Sequence, residues 1–144
     1  MTMSKSFETI TEEAAPRPKT ILVVDENPRL CGLIACELGA LGYRVLTACE
    51  GREAREVIRE TGAANIGLLL TELKLAGMRS GELADWFREE NPSAKVLLMC
   101  RQTREMRIGK DVESVHKPFD MEDLGELVLG LLECEALATA GLAG

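Results

Sequence analysis

The chain has 144 residues and a mass of 15.7 kDa, which suits one ordinary domain, and its 46% hydrophobic content is enough to cover both faces of a sheet. A net charge of -7 and a pI near 4.9 argue against nucleic-acid binding, because phosphate contacts need clustered Lys or Arg side chains. Five cysteines without a CxxC pair predict reduced thiols instead of disulfides or a sulfur-bound metal.

Both ends of the chain differ in composition from its middle. Residues 1–19 carry Ser, Thr, Glu and Pro with few large apolar groups, which predicts a mobile leader. Residues 20–133 form the predicted domain, and residues 134–144 are expected to extend the last helix and then fray. No stretch has the length of a membrane span and no secretion signal is evident, so a cytoplasmic location is expected.

The first half of the domain alternates between short apolar runs and stretches of helical period. Residues 21–24 form an apolar run typical of a buried parallel strand, and residues 28–41 then place apolar side chains on one helical face. Gly42 is a candidate cap for that helix. Residues 43–48 predict a second strand, and Gly51–Thr61 has the apolar spacing of a second helix.

The second half repeats this alternation. Residues 66–70 predict the third strand, and a helix through residues 83–87 follows a loop with two glycines. Residues 95–99 predict the fourth strand and residues 112–115 a short fifth one. The final amphipathic helix begins after Asp120, a candidate N-cap.

Five strands that alternate with helices predict an α/β fold, a parallel sheet covered on both faces. In such sheets ligands gather at the carboxyl ends of the strands, where Asp25, Glu72, Cys100 and Lys117 all fall. Crowded carboxylates need a cation to remain ionised, so either Lys117 or a hard divalent ion such as Mg2+ is expected among them. A plainer alternative is that the acidic pair at residues 25 and 26 only caps the helix after it.

Four motifs occur in order along residues 19–133: ILVVDENP, LLLTELKLAGMRSGEL, LLMC and HKPF. Together they resemble the receiver domain of bacterial two-component response regulators, and they are most similar to the receivers of hybrid sensor kinases. The resemblance implies a doubly wound, flavodoxin-like sheet of five strands in the order 2-1-3-4-5. It also implies a role in phosphorelay signal transduction.

In that family an acidic pair after the first strand helps to hold Mg2+, and an aspartate after the third strand accepts a phosphoryl group from a histidine kinase. The resemblance implies that Asp25 and Glu26 match the acidic pair, that Lys117 matches the phosphate-site lysine, and that a cis peptide bond precedes Pro118. Together with Glu72, the pair forms an acidic pocket and a candidate site for weak Mg2+ binding. No other cofactor is expected.

The chain departs from the family pattern at three positions. Glu72 stands at the phospho-acceptor position, and because in-line transfer does not tolerate a shift of about 1 Å, its extra methylene predicts that phosphorylation is lost. Cys100 replaces the Thr or Ser that holds phosphate, and Ser114 replaces an aromatic switch residue. The stretch between Cys100 and Lys117 is short by roughly one helical turn, so the family's fourth helix is expected to be shortened or absent.

Two interpretations of Glu72 stay open. Its side chain can reach Lys117 and partly imitate a phosphoryl group, whose charge is about -1.5 to -2, or it can keep a salt-bridged or metal-binding pocket that stabilises the fold. Either way we expect a non-enzymatic pseudo-receiver that binds a protein, such as a histidine kinase or another signalling protein, and neither nucleic acid nor membrane. A monomer or a homodimer is expected. Too few residues follow the last helix for an effector domain, which predicts output by docking.

Two rival functions remain. A conventional phospho-acceptor would use Glu72 or the adjacent Thr71. A small flavin- or nucleotide-binding protein of the same topology would need Gly, Ser or Thr after the first strand, where this chain has residues 25–28, DENP.

Several further side chains carry separate expectations. Cys100 beside Lys117 is a candidate redox-sensitive thiol. At most one of the adjacent Trp86 and Phe87 can face the core, and the other is a candidate partner surface. His116 is expected to pack or lie on the surface. The arginines at residues 101, 104 and 107 are expected to form a solvated loop or, alternatively, to contact an acidic partner.

Overall fold

The computed structural model describes residues 19–101 and 112–143. These residues contain five parallel strands and four α-helices, with one short 3-10 turn at Ala63–Asn65. The strands are β1 (Thr20–Val24), β2 (Arg44–Ala48), β3 (Leu68–Glu72), β4 (Lys95–Cys100) and β5 (Glu113–His116). The helices are α1 (Pro28–Ala40), α2 (Gly51–Thr61), α3 (Glu82–Glu90) and α4 (Met121–Ala143).

The predicted α/β fold is confirmed, since the strands pair in the order β2-β1-β3-β4-β5. Two predictions fall outside the described residues. They are the mobile leader, apart from residue 19, and the shortened helix expected within residues 102–111. Helix α4 continues past the domain boundary predicted at residue 133, so much of the predicted tail is helical, and its fraying stays a prediction. None of the helices in the described region combines the length and apolar character needed to cross a bilayer.

The central strands explain why their sequences are continuous apolar runs. All residues of β1 and β3 are buried, because helices cover both faces of the sheet. Successive strand residues point to opposite faces, so Leu22 and Val24 pack with α2 and α3, while Ile21 and Val23 pack with α1 and α4. Each such side chain, fully buried, stabilises the fold by about 1.5–3 kcal/mol relative to exposure.

Capping side chains and one glycine mark the ends of the helices. The side-chain oxygen of Asn27 accepts from the backbone N–H groups of Arg29 and Leu30 at 3.0 and 3.3 Å, and this caps α1. Gly42 follows the same helix with a φ of +99°, a conformation that side chains disfavour. Asp120 caps α4 as predicted, because its carboxylate accepts from the N–H of Glu122 at 2.7 Å.

Helix α3 places its two aromatic neighbours differently. Phe87 is fully buried in the core between α3 and the sheet. Trp86 packs at the edge of that core, where the guanidinium carbons of Arg55 and Arg59 lie 5.3 and 5.7 Å from its ring centroid. The arginines of α2 therefore cover the indole, which acts as a cation–π platform between the two helices.

Replacing Phe87 with Ala is expected to lower the free energy of unfolding by about 3–5 kcal/mol, because a fully buried aromatic leaves a cavity. Trp86→Ala is the matched control in the same helix and is expected to cost clearly less, since the indole is only partly buried. Urea denaturation measures both. Equal losses for the two variants would contradict the placement of Phe87 in the core.

Tyr43 is the single tyrosine of the chain. It directly precedes β2 and contacts Glu133 of α4. It is buried, and its hydroxyl donates a hydrogen bond to Glu133 Oε2 at 3.0 Å. Burial, followed by the hydrogen bond and charge of Glu133, raises the pKa of Tyr43 from 10.0 to about 12. A raised folded-state pKa means that the neutral phenol stabilises the fold, and this contribution is lost as the pH rises from the lower value toward the higher one.

The near-ultraviolet absorbance of the phenolate reports the ionisation of this single tyrosine. We expect the folded protein to titrate near pH 12 and the urea-unfolded chain near pH 10.0. Glu133→Gln should lower the folded-state pKa, because it removes the neighbouring negative charge. A native protein that titrates at the unfolded value would show that Tyr43 is not packed against Glu133.

Candidate functional site

Three charged side chains meet at the carboxyl edge of the sheet. Asp25 directly follows β1, Glu72 is the last residue of β3, and Lys117 directly follows β5. The Nζ atom of Lys117 lies 2.5 Å from Asp25 Oδ2 and 3.1 Å from Glu72 Oε1. The parallel strands thus bring together three residues that are far apart in the sequence.

The burial of this cluster makes its charge pairing important. Asp25 is fully buried, and only 7% of Glu72 and 14% of the Lys117 side chain are exposed. The second carboxylate oxygen of Asp25 accepts the N–H of Asn27 at 2.9 Å, so both oxygens have partners. A buried carboxylate is costly unless a cation and hydrogen bonds satisfy it, which is what Lys117 and Asn27 do here.

The carboxylate of Glu72 has two further partners. Its Oε1 atom also lies 3.2 Å from a guanidinium nitrogen of Arg101, whose side chain is 69% exposed. Its Oε2 atom accepts the backbone N–H of Glu26 at 3.4 Å. Glu72 is therefore held by an inner cation, Lys117, and by an outer cation, Arg101.

Arg101 is largely exposed, as expected of a solvated loop, but its guanidinium also contacts Glu72, which the sequence did not predict; residues 104 and 107 lie outside the described residues. A polar stretch without periodicity gives no sign that one of its side chains folds back onto a pocket. The available signal was position, since Arg101 comes directly after Cys100 at the end of β4. Side chains at that point share an edge with Asp25 and Glu72.

The acidic pair splits into two different roles. The side chain of Glu26 is turned away from the other carboxylates, and its Oε2 atom accepts the N–H of Ala76 at 2.9 Å in the loop after β3. The alternative that the pair only caps α1 is wrong, because Asn27 is the cap. Asp25 belongs to the buried pocket, whereas Glu26 anchors a loop.

This arrangement does not fit the candidate Mg2+ site. Among residues 19–101 and 112–143, no group of three His, Cys, Asp or Glu side chains is placed to hold a metal ion. Asp25 and Glu72 face Lys117 and Arg101, and Glu26 bonds to a loop N–H. Both carboxylate oxygens of Asp25 and of Glu72, which a hard divalent ion would need, already have cationic or N–H partners.

The remaining predicted positions surround this pocket. Cys100 ends β4 with its side chain fully buried in the apolar core, and its carbonyl oxygen accepts the N–H of Lys117 at 2.7 Å. A redox role would need an accessible thiol, which this burial opposes. Ser114 is half-buried on β5, and His116 is exposed at its end. The peptide bond between Lys117 and Pro118 is cis.

Cys31 contacts the backbone of Asp25, one of the pocket residues. Its thiol donates to the carbonyl oxygen of Asp25 at 3.5 Å and also lies 3.8 Å from that of Ala48. Burial, and then the charge of Asp25, raises the pKa of Cys31 to about 11. The thiol is therefore neutral at ordinary pH and serves as a small packing group.

Comparison with known proteins gives a consistent family. Residues 21–129 match the model of the response regulator receiver domain. The probable transcriptional regulatory protein TcrX of Mycobacterium tuberculosis is 29% identical over 129 residues, which are 85% of this chain and 53% of TcrX. The chain therefore spans about half the length of that relative.

Two solved structures extend the comparison. The response regulator TrrA from Thermotoga maritima, in complex with Mg2+-BeF, is 30% identical with a TM-score of 0.69, covering 79% of this chain and 99% of TrrA. The receiver domain of the hybrid histidine kinase CckA is 29% identical with a TM-score of 0.67, covering 78% of this chain and 98% of that domain.

Lys117→Met is expected to lower the free energy of unfolding by about 3–5 kcal/mol, because it leaves the buried Asp25 without its cation. The double variant Asp25→Asn/Lys117→Met removes both charges and should recover much of this loss. Chemical denaturation at neutral pH measures both. If the double variant is as unstable as the sum of the two single variants, Asp25 and Lys117 are not a pair.

Proposed function

Because this chain belongs to the response regulator receiver domain family, we propose that it acts in two-component signalling as an atypical receiver that has lost phosphorylation. The observation that carries the proposal is the ion pair between Glu72 and Lys117, 3.1 Å apart at the end of β3. The resemblance to the family implies that Glu72 stands at the position of the acceptor aspartate. A longer acid occupies that position here.

The surroundings of Glu72 oppose a role as a nucleophile. A phospho-acceptor needs one carboxylate oxygen free to approach phosphorus in line. In this chain Oε1 is shared by Lys117 and Arg101, and Oε2 accepts the N–H of Glu26. Attack would have to break these contacts in a pocket that is largely buried, and it would start from a displaced oxygen.

Of the two interpretations of Glu72, the stabilising one is the better supported. Asp25 and Glu72 carry one negative charge each, and Lys117 and Arg101 carry one positive charge each, so this group of four is neutral. A phosphoryl group would add a charge of about -1.5 to -2. Glu72 therefore completes a balanced pocket and does not imitate the phosphorylated state.

With the phosphoryl switch lost, the domain acts by recognising a protein partner. The similarity to the CckA receiver supports the resemblance to receivers of hybrid sensor kinases, and a histidine kinase or another signalling protein is the partner class. TcrX is named a probable transcriptional regulatory protein, and the shared half of it supports the receiver part of that role. No enzymatic activity is proposed for this chain.

Acetyl phosphate with Mg2+, followed by intact mass measurement, tests the loss of phosphorylation. The unaltered protein is expected to gain no phosphoryl group. Glu72→Asp is expected to gain one only in a minor fraction of molecules, because the shorter acid restores the acceptor but Cys100 is a poor donor to a phosphate oxygen. Glu72→Gln is the control without an acceptor. Stoichiometric phosphorylation of the unaltered protein would establish the conventional phospho-acceptor instead.

A further inference from the structure

We propose that the guanidinium of Arg101 takes the place of the divalent cation and closes this pocket to Mg2+. The inference rests on the proposed function in one respect, because it concerns the same pocket and takes Glu72 to stand at the acceptor position. It assigns a role to a residue that the sequence pattern places in a solvated loop.

The charge of the pocket is the first reason. With Arg101 in place, Asp25, Glu72, Lys117 and Arg101 sum to zero. Without Arg101 the remaining three groups carry one net negative charge, and all three are largely buried. A partly buried site of that charge attracts a cation more strongly than a neutral one does.

The position of the guanidinium is the second reason. Arg101 approaches Glu72 Oε1 from the solvent side at 3.2 Å, while Lys117 approaches the same oxygen from the buried side at 3.1 Å. An ion that coordinated Glu72 would lie beside two positive charges. It would have to displace the outer one, because the inner one also holds Asp25.

The chemistry of arginine suits this role. A guanidinium is charged at every relevant pH and is more weakly hydrated than an ammonium group, so it can rest on a carboxylate with one face in water. Arg101 also lines a cleft of about 470 Å³ that opens beside the pocket. The other residues around this cleft are Asn27, Leu30, Lys117, Pro118 and Phe119.

An ordinary surface ion pair is the alternative that the experiment must separate from this role. Exposed pairs contribute little to stability, and a loss of stability in an Arg101 variant would be small under either explanation. Affinity for Mg2+ does separate them, because only a guanidinium that occupies the cation position competes with the metal. Arg79 is the matched control, since it is 85% exposed and pairs with Glu82 at 3.6 Å.

Isothermal titration of the full chain with MgCl2, in NaCl of matched ionic strength, tests the proposal. The unaltered protein and Arg79→Gln are expected to show equally weak binding. Arg101→Gln is expected to bind Mg2+ at least about tenfold more tightly, which corresponds to about 1.4 kcal/mol. Adding Glu72→Gln to Arg101→Gln should abolish the gain, because it removes the carboxylate that the ion would coordinate.

Circular dichroism of each variant first confirms that it is folded. Equal Mg2+ affinity of the unaltered protein and Arg101→Gln, whether both bind or neither does, would overturn the proposal. A similar gain in Arg79→Gln would also overturn it, because the effect would then reflect overall charge. The titration contains no phosphodonor, so its failure is independent of the phosphorylation result.

Discussion

One ammonium group between two buried carboxylates holds the functional edge of this domain together. Lys117 Nζ contacts Asp25 and Glu72 at 2.5 and 3.1 Å, and these residues come from the ends of three different strands. Asp25 is fully buried, so its carboxylate depends on this cation for charge compensation. The register of the sheet makes the contact available, since Val24 pairs with Thr71, and Cys100 pairs with His116, at the same edge.

The same cation limits what the pocket can do. An acceptor site must exchange partners during a reaction, whereas every carboxylate oxygen of Asp25 and Glu72 has a cation or an N–H group beside it. Arg101 adds an outer positive charge and brings the group to neutrality. These contacts agree with the proposal that the domain acts by binding a protein partner and has lost the phosphate switch.

The sequence predicts the scaffold more fully than the site. The apolar run before Asp25 indicates a strand that is buried on both faces, and the apolar spacing after Pro28 indicates a helix that is buried on one face. Such patterns repeat along the chain, so the strands and helices can be predicted from the sequence. The contacts of Arg101 and Glu26 could not be read in this way, because they depend on how loops fold back over the strand ends. The cap of α1 was missed for a related reason, since Asp25 and Asn27 both suit an N-cap and only the backbone path selects Asn27.

The central claim is that Glu72 and Lys117 are energetically coupled inside the folded domain. A double-mutant cycle with Glu72→Gln and Lys117→Met, followed by urea denaturation at neutral pH, measures that coupling directly. The ion pair predicts a coupling free energy of about 1–3 kcal/mol. A value near zero would mean that the Glu72 carboxylate does not rest on Lys117, and the closed pocket described above would not exist.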